Sequence, residues 1–188
     1  MLKFAFLINV PGVTPETYSA VYENDESYSI IAGVDGMEAG KKYVRKLAAE
    51  GFTLFNLCGD FDDETTQQMR KYVGEGVEIQ HAAYSIDELV KLNQLKSYRE
   101  YGIIIAMDGV EEPHEVTLKS DECVATAVFV KDMRQAKAVA KKLVQRRIKF
   151  IELCSWFDRL MMDEIVDAIE GAVPVGTCGD LTMESCRE

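Results

Sequence analysis

The phrase IELCSWFD, Ile151 to Asp158, repeats FNLCGDFD, Phe55 to Asp62, with Leu, Cys, Phe and Asp in the same places 96 residues apart. A chain that writes one strand-and-turn phrase twice is constrained to build one unit twice, and a repeat decides the fold before local propensity does. The offset holds well beyond the phrase. Met37, Gly40, Val44, Leu47 and Ala48 fall on Met133, Ala136, Ala140, Leu143 and Val144. Each set recurs at helical spacing and marks one apolar stripe. Thr66, Met69 and Val73 fall on Met162, Ile165 and Ile169, a second helix in each half. No gap is needed from about Ile30 to Tyr84. The opening strands, FAFLINVPGV and YGIIIAMDGV, match once the offset grows by one residue.

Each half therefore predicts a strand (Lys3–Val10; Gly102–Met107), an irregular segment with room for a short helix, and a strand (Tyr28–Val34; Val124–Val130). A helix, a third strand (Phe52–Cys58; Lys149–Cys154), a second helix and a fourth strand (Val77–Ala82; Val173–Cys178) follow. The strands are short, apolar on both faces and separated by amphipathic helices, the pattern of a parallel sheet covered by helices. Residues 1–84 and 101–180 are the two β/α repeats, 85–100 a connecting helix and 181–188 a C-terminal tail. Ser85 and Glu88 have the capping-box spacing that starts the connecting helix, which is expected to end near Tyr101-Gly102. Two closures fit this α/β class. The repeats can pack as a pseudo-two-fold assembly of open sheets, or close as two half-barrels into one eight-stranded β/α barrel. At 188 residues the chain lies below the usual ~200-residue minimum of that barrel, which favours the paired sheets.

The formal net charge of -11 sets the protein against phosphate backbones and anionic lipid, so neither nucleic acid nor membrane is an expected partner. No apolar run approaches the ~20 residues of a membrane helix. The opening MLKFAFLINVPGV lacks the basic start and cleavage site of an export signal. Five cysteines, Cys58, Cys123, Cys154, Cys178 and Cys186, form no C-x-x-C pair, which points to reduced thiols in a bacterial-type cytoplasm.

In parallel α/β folds ligands gather at the carboxyl ends of strands. Those ends carry Asn9, Cys58, Asp60, His81, Tyr84, Asp108, Cys154, Trp156, Cys178 and Asp180. The repeated phrase is sharper. Alternation puts Glu152 and Cys154 on one face of their strand, as it puts Asn56 and Cys58 in the first half. A carboxylate inside an apolar strand is costly unless paired or protonated, so Glu152 should meet a Lys or Arg, a backbone amide or a ligand. It is either a structural hydrogen bond between the halves or a site acid or base, with Cys154 beside it. Cys58 and Cys154 precede helix starts, which would lower a thiol pKa; inert packing is the plainer reading. Asp62 and Asp158 are explained as N-caps. Metal is not expected, since His81 and His114 have no zinc spacing with the cysteines. GVDGMEAGKK is neither a dinucleotide nor a Walker loop, and Gly33 and Gly36 are turn glycines. No cofactor is indicated.

The stretch IELCSWF, with AKAVAKKLVQRRIKF before it and VPVGTC after it, resembles a family of short bacterial proteins of unknown function that carry an E-L-C-G-x-F-like phrase. The match is best at Glu152, Leu153, Cys154 and Phe157; in the first half Asn56 replaces the Glu, while Leu57, Cys58, Gly59 and Phe61 keep the rest. The resemblance implies that a single unit pairs into a homodimer and that this chain fuses two; it implies no activity. Three functions follow. A small-molecule-binding protein would use a pocket at the strand ends, with Asn56, Cys58, Asp60, His81, Trp156 and Cys178 as its ligand-binding residues. A small-metabolite lyase or isomerase would use Glu152 as acid or base. An accessory protein would use the duplicated halves for assembly alone, with a further homodimer as its partner.

Overall fold

Strand pairing in the computed structural model, which describes residues 1–59 and 61–182, repeats register for register between the halves. Asp60 and Cys186 lie outside the described residues. The first unit comprises β1 (Leu2–Asn9), β2 (Ser19–Glu23), β3 (Ser27–Val34), α1 (Gly36–Ala49), β4 (Leu54–Cys58), α2 (Asp63–Arg70) and β5 (Glu78–His81). After α3 (Ile86–Asn93) the second unit comprises β6 (Glu100–Ala106), β7 (His114–Lys119), β8 (Val124–Val130), α4 (Met133–Gln145), β9 (Phe150–Leu153), α5 (Arg159–Ala168) and β10 (Val175–Thr177). The sheets run β2-β3-β1-β4-β5 and β7-β8-β6-β9-β10. Phe4 pairs with Leu54 as Tyr101 pairs with Phe150, and Asn56 with Gln80 as Glu152 with Gly176.

Two expectations are corrected here. The eight-stranded barrel does not form: each unit closes its own five-stranded sheet. The segment expected to be irregular is an antiparallel edge strand, β2 on β3 and β7 on β8. SAVYE and HEVTLK are largely solvated, as an edge strand tolerates, so they lack the unbroken apolar run of the buried parallel strands.

The connecting helix is also shorter than expected and ends at Asn93, seven residues before β6 begins. Ser85 caps it, its Oγ accepting from the Glu88 amide. Glu88 does not reach back to complete the box. Its buried carboxylate accepts from the Val175 amide at 2.8 Å and meets Lys91 at 2.6 Å, pinning α3 to the second unit.

Side-chain parity sets the layers. Ala5, Leu7, Ala32, Val34, Phe55 and Leu57 pack under Val44 and Leu47 of α1 and Met69 of α2. The opposite parity, Phe4, Phe6, Ile8, Ile31 and Cys58, shares one core with Tyr101, Ile103, Ile105 and Phe150. On the far side of the second sheet Gly102 abuts Leu143 of α4. The order is helices, sheet, sheet, helices, with the two sheets face to face. Asp62 and Asp158 cap α2 and α5 through the amides of Thr65 and Met161, as their positions predict.

Candidate functional site

Glu152 sits in this seam between the sheets. It is 2% exposed, and both carboxylate oxygens are taken by tyrosines. Tyr84 donates to Oε1 at 2.6 Å and Tyr101 to Oε2 at 2.5 Å. Of the partners expected, a backbone amide is met at Gly59, while no Lys or Arg bonds Glu152 among the described residues; neutral hydroxyls stand in a cation's place, which spares the fold a second buried charge. Burial pushes the Glu152 carboxyl above the ordinary glutamate value, against the pull of Tyr101, Tyr84, the Cys58 thiol and the Gly59 amide. Burial, followed by neighbouring negative charge, pushes both phenols well up, so each stays a donor.

Each tyrosine arrives for a local reason. Tyr101 is the second residue of β6, opposite Phe150 and on the Glu152 side of the sheet. Tyr84 follows Ala83, which exchanges two backbone hydrogen bonds of 2.9 Å with Thr177 and so carries the chain from the first sheet onto the second. Gly176, the register partner of Glu152, leaves room for the ring: a Cβ there would lie 2.6 Å from Tyr84 Cζ. Gly176→Ala is therefore expected to push Tyr84 off Glu152 and cost about 1–3 kcal/mol in urea melts. On a Tyr84→Ala background the same change should cost almost nothing. Equal costs on both backgrounds would show that Tyr84 is not what Gly176 makes room for.

Glu152 opens onto a cavity of about 520 Å³. One wall is the carboxyl end of β1 with the turn after β4, Ile8, Asn9, Val10, Pro11 and Gly59; the other is the amino ends of β6, β8 and β9. Phe150 stacks on Tyr101, centroids 4.6 Å apart, and Tyr98 meets Phe150 edge-on. Arg99, Asp121 and Glu122 complete the lining. The result is an aromatic cavity with a carboxyl group set into its wall.

The other candidate residues scatter. Cys154 directly follows β9, the strand of Glu152, but lines a different cavity, with Asn56 and Trp156. Its sulfur accepts from the Ala106 amide at 3.3 Å, and burial pushes its thiol up to about 12, so the helix-start lowering is overturned by desolvation. Cys58 is pushed up likewise, chiefly by burial and then by Cys178, whose own thiol burial also raises. Burial thus works against a thiolate at both cysteines. Asn56 is tied to Ser155 by two hydrogen bonds, 2.8 and 3.1 Å. His81 faces Asp63 at 3.8 Å on α2, away from Glu152. Asn9 lines the Glu152 cavity while its Oδ1 accepts from the Gly36 amide. Asp108 belongs to the cavity of Asn56, and Asp180 is spent on the Thr182 amide. Among the described residues no three His, Cys, Asp or Glu side chains gather as metal ligands, and no helix is long and apolar enough to cross a membrane.

The site's amino-end wall escaped the sequence reading, which looked only at carboxyl ends. Tyr101, Tyr98, Arg99 and Phe150 fell in the assumed linker and strand start. A usable signal existed: a tyrosine inside an apolar strand needs an acceptor for its hydroxyl, and Glu152 needs donors.

A family model described as "Family of unknown function (DUF6506)" matches residues 2–97 and again residues 99–182. The chain belongs to that family and carries its unit twice. No curated protein matches it. Among solved structures it is similar to an ABC transporter periplasmic solute binding protein from Actinobacillus succinogenes 130z with bound D-allose, at 13% identity over 93% of this chain and 77% of that one. The TM-score is 0.28, at which the likeness carries no argument.

Proposed function

We propose that this protein binds a small organic molecule in the seam cavity, with Glu152 as the group that reads it. One observation carries the proposal: a carboxyl group, buried among aromatic rings at the wall of a 520 Å³ cavity, is held in place by two tyrosine hydroxyls rather than neutralised by a cation. Besides the two tyrosines the carboxyl is met, among the described residues, only by the Cys58 thiol and the Gly59 amide, and a ligand N–H or O–H is the group that would join or displace these weaker partners. Cavities of this size, apolar with a few fixed polar groups, are the ordinary form of small-molecule sites. The rings of Tyr98, Tyr101 and Phe150, with Asp121 and Glu122 outnumbering Arg99 in the lining, favour a ligand bearing an amine.

The test is a metabolite screen by thermal shift on wild type and Glu152→Gln. Glutamine keeps the shape, with Oε1 accepting from one tyrosine and Nε2 donating to the other phenol oxygen, so the variant should melt within a few degrees of wild type. It should lose the ligand-induced rise. A ligand that stabilises both proteins equally would remove Glu152 from the site. A deeply destabilised Glu152→Gln with no ligand for wild type would leave Glu152 a structural group.

The raised pKa of Glu152 favours a second reading, a lyase or isomerase in which this carboxyl gives or takes a proton. In that case a ligand found by the screen should exchange a C–H for deuterium in D₂O with wild type and not with Glu152→Gln. Absence of exchange in wild type would leave binding alone.

A further inference from the structure

Four strands end the two sheets, and they are not equally open. β10 gives its Val175 and Thr177 amides to Glu88 and Ala83, and β5 has its Ile79 carbonyl held by Arg70. β7 is the longest of the four, six residues against five in β2, four in β5 and three in β10. Its ladder to β8 uses alternate residues. Ser120 donates to Cys123, so Leu118, Val116 and His114 exchange hydrogen bonds with Ala125, Ala127 and Phe129. Val124, of the other parity in β8, turns its amide to Arg99 on the β6 side. The N–H and C=O groups of Glu115, Thr117 and Lys119 therefore point away from the sheet. No described residue takes them, and all three residues are exposed.

Charge on an edge strand ordinarily keeps other strands off it. Here the charges have opposite signs and stand symmetrically about Thr117. EVTLK laid antiparallel on itself puts Glu115 opposite the partner's Lys119, Thr117 opposite the partner's Thr117 and Val116 opposite the partner's Leu118. Opposite charges, paired threonines and paired apolar side chains are the favourable cross-strand neighbours. The same register brings the outward groups of Glu115, Thr117 and Lys119 onto one another, so every open donor meets an acceptor. Arg146 fixes the Glu115 carboxylate at this edge with two hydrogen bonds, 2.6 and 2.9 Å, which hold its pKa below the ordinary glutamate value. Lys119 forms no ion pair among the described residues. β2 has no such symmetry: SAVYE laid on itself sets Ser19 against Glu23 and brings no opposite charges together.

We propose that β7 is a docking edge for a second copy of this chain, the two strands pairing antiparallel about Thr117 so that the second sheets of both copies run on as one. The contact uses the same patch on both copies and closes at two. It is small, which puts the dissociation constant on the order of 10 μM. No residue of β7 lines the Glu152 cavity, so ligand binding and this contact are separable.

Sedimentation velocity of the full chain from about 1 to 300 μM should show a monomer passing to a dimer and no further. Lys119→Glu sets Glu against Glu, and Glu115→Lys sets Lys against Lys; each alone should weaken association about tenfold or more. Mixed in equal amounts, the two variants should dimerise again, because both cross-strand pairs are then opposite in sign. Thr117→Pro removes an outward N–H that the fold does not use, and should abolish the dimer with little change in melting temperature. It keeps the test open if Glu115→Lys, deprived of Arg146, folds poorly. A wild type that stays monomeric, or a dimer that neither Lys119→Glu nor Thr117→Pro weakens, overturns the pairing. A mixture of well-folded charge variants that stays monomeric overturns it as well. So does a ladder of larger species, which would set β7 against a different edge.

Discussion

Replacing Tyr84 and Tyr101 together by phenylalanine is expected to cost about 3–5 kcal/mol of stability at pH 8, the range seen when a buried charge loses its partners. The phenyl rings keep the packing, so the loss isolates the two hydroxyls that now hold Glu152. Its pH dependence has a definite sign. Glu152 is already raised above 4.5 in the folded protein, chiefly by burial, and without its donors it rises further. A carboxyl raised on folding adds stability that is fully present below its unfolded pKa, about 4.3. That stability is lost as pH climbs through the folded value. The double variant should therefore lie closest to wild type near pH 4 and fall away toward pH 8. With Glu152→Gln in the background, removing both hydroxyls should cost only the ~0.5–1.5 kcal/mol of each neutral hydrogen bond. Urea melts of the four proteins at both pH values decide it. A cost that does not change with pH would mean that Glu152 carries no charge in the wild-type fold at neutral pH.

How much of this was legible in the sequence depends on whether the determinant is local. The duplication was, because the same strand, turn and helix signals recur at one offset and each copy obeys them separately. So were the caps at Asp62 and Asp158, which need only a side-chain oxygen and an amide three residues on. Glu152 was legible as an anomaly, a carboxylate amid apolar neighbours. Its partners were not, since Tyr101 and Tyr84 lie 51 and 68 residues away and meet it only when the sheets face each other. Helix starts after Cys58 and Cys154 left a lowered thiol pKa open beside the plainer reading of inert packing. The strands instead turn both sulfurs into the seam, where desolvation outweighs any helix end. The edge strands β2 and β7 escaped for the opposite reason: half in water, they alternate weakly and carry charge.

A chain cut to residues 1–97, which holds the first family match at 2–97, is expected to be unable to persist as a folded monomer. Its helical face would be intact, for Leu7, Val34, Phe55 and Leu57 bury against their own helices. Its inner face would not. Phe4, Phe6, Ile8, Ile31 and Tyr18 are buried only in the core shared with the second unit. Burial of one such side chain is worth about 1.5–3 kcal/mol. Five of them therefore match the whole 5–15 kcal/mol by which a typical domain is stable. Two outcomes satisfy this arithmetic, an unfolded chain or a self-associated one in which a second copy supplies the missing sheet. The repeated register favours the second: β1 and β6 present the same parity to the seam, so a copy of the first unit can stand where the second unit stood. Such a dimer would place Asn56 on both sides and Glu152 on neither, keeping the architecture while losing the carboxyl site. Sedimentation with circular dichroism on the fragment distinguishes the cases. A compact, cooperatively melting monomer would mean that the seam contributes little to the fold and that each unit is self-sufficient.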